Sequence, residues 1–162
     1  MKILFLHGFG SDPNGIRPTF LKQSGHEVAH PALPDGDFEE SLRIAQRAFD
    51  QGQPDVVVGS SRGGAVAMNI DTAGTPLVLI APAWRHRGAA TTLKPATIIL
   101  HSANDDVLPI DDSRKLLEQS GLPEDRLVTV GDNHRMVDAA AFEALLNAVE
   151  EVAGDTSGGD SR

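Results

Sequence analysis

Val56-Val57-Val58-Gly59-Ser60-Ser61-Arg62-Gly63-Gly64-Ala65 lies in the middle of a 162-residue chain, and the reading of the other segments depends on it. A β-branched run predicts a buried strand, and the Ala/Val/Met segment after the two glycines predicts a helix. Between them stands G-x-S-x-G, the spacing that places a serine on a sharp strand-to-helix turn with its hydroxyl exposed above a sheet. Only Ser61 fits this frame, because Ser60 would need glycines where Val58 and Arg62 stand. Gly59 and Gly63 have a steric role there, since side chains beside the serine would collide where the strand turns into the helix.

Outward from this stretch, apolar runs alternate with helical patterns. Lys2 to Leu6, Glu27 to Ala29, Asp55 to Val58, Leu77 to Ile80, Thr97 to Leu100 and Arg126 to Val130 read as about six strands. Helices are predicted over Ile16–Gln23, with Gly25 as a C-terminal cap, and over Phe38–Phe49, with Asp37 as N-cap. Further helices are predicted over Gly63–Ile70, over Ile110–Gln119 capped by Gly121, and over Ala139–Val152. Strands alternating with helices, each strand a near-continuous apolar run, indicate an α/β fold. The expected architecture is a three-layer α/β/α sandwich with a mostly parallel sheet. Residues 1–153 are expected to form one domain, and the Gly/Ser/Asp-rich residues 154–162 a disordered tail.

Composition narrows the function. Lys and Arg total 14 against 23 Asp and Glu, a net charge of −9, which disfavours nucleic acid and anionic membranes as partners. There is no cysteine, hence no thiolate nucleophile or thiolate zinc site, and the six histidines form no metal-ligand pattern. No metal or cofactor is expected. Nucleotide motifs fail on the letters: Pro13 stands where G-x-G-x-x-G from Gly8 needs its third glycine, and Ala65 or Ile16 stands where a P-loop needs lysine. Without a signal-peptide or membrane-length apolar run, the expected location is the cytoplasm.

In parallel sheets ligands gather at the carboxyl ends of strands. The chemically interesting residues here all lie just after a predicted strand: His7-Gly8-Phe9-Gly10 after the first, Ser61 after the third, His101-Ser102-Ala103-Asn104-Asp105-Asp106-Val107-Leu108-Pro109 after the fifth, and Gly131-Asp132-Asn133-His134 after the last. A serine hydroxyl becomes nucleophilic when a neutral imidazole takes its proton, and that imidazole needs a carboxylate to set its tautomer.

With these loops and the order Ser, Asp, His, the chain resembles the α/β-hydrolase superfamily over nearly all of its length. The resemblance implies a minimal α/β-hydrolase fold with Ser61 as nucleophile, His134 as base and Asp105 as acid. Asp105 is preferred to Asp106 because it stands in register with Leu108-Pro109, while Ser102 occupies a position that the family usually gives to glycine. It also implies an oxyanion hole made by the amides of Phe9 and Arg62. His7 and His101 are expected to be structural, binding loop backbone at strand ends.

Larger relatives carry further N-terminal strands and a helical lid. Here the first strand begins at residue 2, and only Ala81 to Pro95 occupies the lid position, so an open, shallow site for short acyl groups is expected. Gly10, Trp84, Leu108 and Met136 are the candidate pocket residues. Arg62, Arg85, Arg87 and Arg135 are candidates to favour anionic substrates; the simpler reading is that they offset acidic surface. The implied activity is that of a carboxylesterase or thioesterase forming an acyl-enzyme, as a monomer or small homo-oligomer, with activity rising through roughly pH 6 to 7 as the base becomes neutral. The alternatives are a non-catalytic binding protein on the same fold, and a perhydrolase or C–C bond hydrolase using the same three residues.

Overall fold

The protein is described from a computed structural model, covering residues 1–10 and 15–157. Six strands form one sheet: β1 (Lys2–Leu6), β2 (Glu27–Ala29), β3 (Val56–Ser60), β4 (Leu77–Ile80), β5 (Thr97–His101) and β6 (Leu127–Thr129). Five helices accompany them: α1 (Ile16–Gln23), α2 (Phe38–Gly52), α3 (Arg62–Asn69), α4 (Ile110–Ser120) and α5 (Ala139–Ser157). The strand order is β2-β1-β3-β4-β5-β6 and every pairing is parallel. The sheet is thus wholly parallel where the sequence led us to expect a mostly parallel one.

The period-2 alternation of strand side chains divides the core in two. Ile3, Phe5, Val56, Val58, Val78 and Ile80 face one side, where they pack with Leu21 of α1 and Leu145 and Val149 of α5. Leu4, Leu6, Val57, Leu77, Leu79 and Ile99 face the other, against Ala45 of α2, Val66 of α3 and Leu116 of α4. Because both faces are covered, β3 and β4 contain no residue that water reaches freely. Each such Val, Leu or Ile contributes about 1.5–3 kcal/mol by leaving water.

Local signals set the helix ends. The Asp37 carboxylate accepts the Glu40 N–H at 3.0 Å and caps α2. Gly121 ends α4 in the left-handed region at φ 67°, and Gly25 follows α1 at φ 94°. Several ends differ from expectation, and α2 runs on to Gly52 instead of ending at Phe49. A 3₁₀ turn over Glu124–Arg126 shortens the last strand, and α5 continues through Gly154 to Ser157 instead of stopping at Val152. Residues 158–162 of the expected tail, like Ser11 to Asn14, lie outside the described residues.

The topology makes a crevice. From β1 the chain passes to β2 on one side, then crosses by α2 to β3 on the other side of β1. The loops leaving β1 and β3 therefore diverge to opposite faces of the sheet, and the gap between them is where open α/β sheets bind ligands.

Candidate active site

Ser61 follows β3 directly, at φ 54° and ψ −114°, a conformation that non-glycine residues rarely hold and that costs about 1–3 kcal/mol. Its backbone is held from both sides. The Ser61 N–H donates to the Ile80 carbonyl at 2.8 Å, and its carbonyl accepts the amides of Gly64 at 3.0 Å and Ala83 at 3.0 Å. The adjoining glycines permit this approach: a Cβ at Gly59 would stand 2.6 Å from the Gly63 carbonyl oxygen, and one at Gly63 only 2.0 Å from that of Leu6. Helix α3 consequently begins against the ends of β1 and β3.

The loop after β5 brings Asp105 beneath the crevice. Its side chain is fully buried. Oδ1 accepts the amides of Val107 and Leu108, each at 2.8 Å, and Oδ2 accepts His134 Nδ1–H at 2.6 Å. His134 Nε2 lies 3.2 Å from Ser61 Oγ. With the Nδ1 proton committed to the carboxylate, Nε2 is the acceptor for the serine O–H, a tautomer assigned from these partners. Burial alone would raise the Asp105 pKa. The Leu108 amide, the His134 N–H and the Val107 amide outweigh it and hold the carboxyl below the usual carboxylate range.

A fourth N–H also reaches this carboxylate. His101, fully buried at the end of β5, places Nε2 2.8 Å from the Leu108 carbonyl and 3.2 Å from Asp105 Oδ2, while Nδ1 lies 2.7 Å from Ser113 Oγ. A carbonyl can only accept, so Nε2 carries the proton and Nδ1 receives the serine O–H. Burial lowers the His101 pKa, partly countered by the Leu108 carbonyl and by Asp105. His101 therefore binds loop backbone as expected and, beyond that expectation, also holds the Asp105 carboxylate as a neutral donor.

The loops are tied to one another. Ser102 donates its hydroxyl to the Gly131 carbonyl at 2.7 Å, joining the Asp105 loop to the His134 loop. Asp138 accepts the amides of Asp132 and Ala141, capping α5 and bracing the His134 loop; these hydrogen bonds lower its pKa. On the other side His7 donates Nδ1–H to the Gly8 carbonyl at 2.7 Å and accepts the Leu33 amide at Nε2, as a structural histidine would. Asp35 accepts the Gly10 amide at 3.0 Å. The turn runs so close to the serine that a Cβ on Gly8 would come within 3.3 Å of Ser61 Cβ. Among the described residues the amides of Phe9 and Arg62 have no acceptor, which leaves two N–H donors available beside Ser61.

An open cavity of about 710 Å³ lies over Ser61 and His134. Gly10 lines it, as expected, but the other three candidate pocket residues do not. Trp84 packs in the core with α4 and donates Nε1–H to the Asp112 carbonyl at 3.0 Å. Leu108 is buried under the Asp105 loop. Met136, at φ 53°, turns inward against Gly131, where an added Cβ would stand 2.5 Å from its Sδ, and so anchors the His134 loop from below. Each is apolar enough to be drawn into the core in preference to the cavity wall.

Of the four arginines only Arg135 lines the cavity. The buried Arg62 guanidinium binds Ser41 Oγ and the Pro34 carbonyl. Arg85 pairs with Asp112 and stacks on Trp84, and Arg87 is exposed outside the cavity. Sequence reasoning missed Arg17, which α1 brings into the cavity wall across the crevice. No local pattern marks it; only the packing of α1 beside β1 does.

Among the described residues no cluster of three or more His, Asp or Glu side chains could hold a metal ion, and no helix is long and apolar enough to cross a membrane.

No protein-family model and no curated protein matches the chain. Solved structures do. A Xanthomonas campestris protein assigned to the α/β superfamily of hydrolases superposes with a TM-score of 0.76 at 23% identity, over 95% of this chain and 97% of its own. Est1E from Butyrivibrio proteoclasticus gives 0.73 at 17% identity, over 97% and 88%. The esterase domain of a Rhodothermus marinus protein gives 0.63 at 18% identity, over 94% and 84%. The chain has the α/β-hydrolase fold.

Proposed function

We propose that the protein is a serine hydrolase that cleaves small carboxylic esters or thioesters through an acyl-enzyme. The observation that carries this reading is the unbroken hydrogen-bond path from buried Asp105 through His134 to a strained, cavity-lining Ser61, at 2.6 and 3.2 Å. The neighbours described as hydrolases and as an esterase domain support it by fold.

Ser61 Oγ attacks the substrate carbonyl carbon as its proton passes to His134 Nε2. The carbonyl oxygen takes the negative charge and accepts the Phe9 and Arg62 amides, one such donor typically contributing roughly 10²- to 10³-fold in rate. Asp105 stabilises the imidazolium without taking its proton. The tetrahedral intermediate collapses, the C–O or C–S bond breaks, and His134 protonates the leaving alkoxide or thiolate. Water, deprotonated by His134, then attacks the acyl carbon and releases the carboxylic acid and free Ser61. The segment Ala81–Pro95 forms turns and no helix, and without a helical cover there the cavity suits short substrates.

Intact-mass measurement after treatment with a fluorophosphonate tests the proposal. One adduct on the wild type and none on Ser61→Ala is expected, with kcat lower by on the order of 10⁶ in the variant. A folded wild type that takes no adduct would instead favour a non-catalytic binding protein. Perhydrolysis or C–C cleavage would appear as labelled protein that turns over peracid-forming or diketone substrates in preference to esters.

A further inference from the structure

In a chain of net charge −9, the cavity over Ser61 has no described carboxylate in its lining. Its charged side chains are instead two arginines, Arg17 from the first turn of α1 and Arg135 from the residue after His134. Neither forms an ion pair among the described residues. Arg17 Nη1 is buried with no hydrogen-bond partner there, and its guanidinium sits over the Phe5 ring at 5.9 Å.

Two cations in one cavity repel, and a buried guanidinium donor left unpaired costs stability. Burial, then the field of Arg135, push the Arg17 pKa down to about 10. Such an arrangement persists where an occupant supplies the missing negative charge, and a guanidinium fork matches the paired oxygens of a carboxylate or phosphate.

Four of the five large apolar side chains exposed on the described surface, Phe9, Ile16, Val107 and Val137, also line this cavity. Phe9 is 72% exposed and Val107 62%. An apolar rim around a cationic wall fits a molecule with a hydrophobic part and an anionic end.

We infer that Arg17 and Arg135 form an anion-binding subsite, and that the substrate is a small ester or thioester carrying a carboxylate or phosphate group away from the scissile carbonyl. This rests on the reading of Ser61 as the acylated nucleophile. The apolar rim takes the uncharged part of the substrate, and the two guanidiniums bind its anionic end.

The test uses 4-nitrophenyl butyrate and the 4-nitrophenyl monoester of glutaric acid, whose acyl chain ends in a carboxylate. The ratio of their kcat/KM values, anionic over neutral, is expected to exceed one in the wild type by on the order of 10-fold, the worth of one charge-assisted hydrogen bond. It should fall to near one in Arg17→Met and Arg135→Met, mainly through KM, and be partly kept in Arg17→Lys, which retains the charge. Because the ratio is taken within each protein, a general loss of activity or folding does not mimic the effect.

Calorimetric titration of Ser61→Ala with monomethyl glutarate, and separately with inorganic phosphate, reads the subsite without turnover. Binding of either supports it and shows which anion it prefers. A wild-type ratio of one with no binding of either anion would overturn the subsite. Failure of fluorophosphonate labelling would overturn the nucleophile reading instead, and anion binding lost in Arg17→Met would still establish the subsite.

Discussion

Replacing Asp105 by asparagine tests the donor geometry of the site. Four N–H groups point at this carboxylate: the Val107 and Leu108 amides at Oδ1, His134 Nδ1 at Oδ2, and His101 Nε2 at 3.2 Å. Asparagine offers one acceptor oxygen. If it serves the two backbone amides, its NH₂ group faces His134 Nδ1–H and His101 Nε2–H, donor against donor. If it turns over, the NH₂ faces the two amides. The backbone cannot rotate away, whereas His134 can shift its proton from Nδ1 to Nε2 and accept the new N–H. The first orientation therefore wins, and Nε2 then holds a proton where it must receive one from Ser61.

The expected cost is a fall in kcat of about 10⁴, the effect of a wrong tautomer in a serine triad, equivalent to about 5.4 kcal/mol at 1.36 kcal/mol per tenfold change. Steady-state turnover of an activated ester measures it, and ¹⁵N chemical shifts of His134 report the tautomer. Asp106, whose side chain is exposed beyond this network, is the control: Asp106→Asn should change kcat less than about twofold. A folded Asp105→Asn enzyme within tenfold of wild type, or an equal loss in Asp106→Asn, would refute the reasoning.

Gly63→Ala should destabilise the protein by about 3 kcal/mol or more, because its Cβ would meet a carbonyl oxygen at 2.0 Å that cannot retreat, whereas Gly64→Ala, whose nearest obstacle is Pro82 Cβ at 2.9 Å, should cost less; denaturant unfolding ranks the two. Trp84→Phe should lower stability by about 1–3 kcal/mol through lost packing and the lost Nε1–H hydrogen bond to the Asp112 carbonyl. It should leave the rate ratio for short against longer acyl esters unchanged, and a changed ratio would return Trp84 to the pocket. The Asp105 pKa is lower in the folded protein than in the unfolded chain, so its contribution to stability is present above about pH 4 and is lost as the pH falls through the folded value. The stability gap between wild type and Asp105→Asn should accordingly narrow below about pH 4 in acid-unfolding curves, and a constant gap would count against it.

The sequence by itself determined the features that are local or periodic. Valine runs at β3, the Asp37 cap and Gly59 act within a few residues of their own position, so their consequences can be read from the letters, whereas Gly63 is needed because the Leu6 carbonyl of β1 lies against it. The placing of Ser61, Asp105 and His134 after β3, β5 and β6 was equally legible, because a parallel sheet gathers all its strand ends on one edge. Tertiary structure alone decided which side chains face the cavity. Leu108 and Met136 lie close in sequence to Asp105 and His134, and Trp84 in the segment expected to cover the site, yet each is drawn inward by the larger gain of burying apolar area. Arg17, far from Ser61 in sequence, reaches the cavity because α1 packs beside β1. Direction in a loop depends on what the rest of the chain leaves room for, and the Asp105–His101 contact depends on how one loop folds back on the strand it has just left. The sequence places these groups along the chain, and the packing of helices and loops around the sheet decides which of them meet.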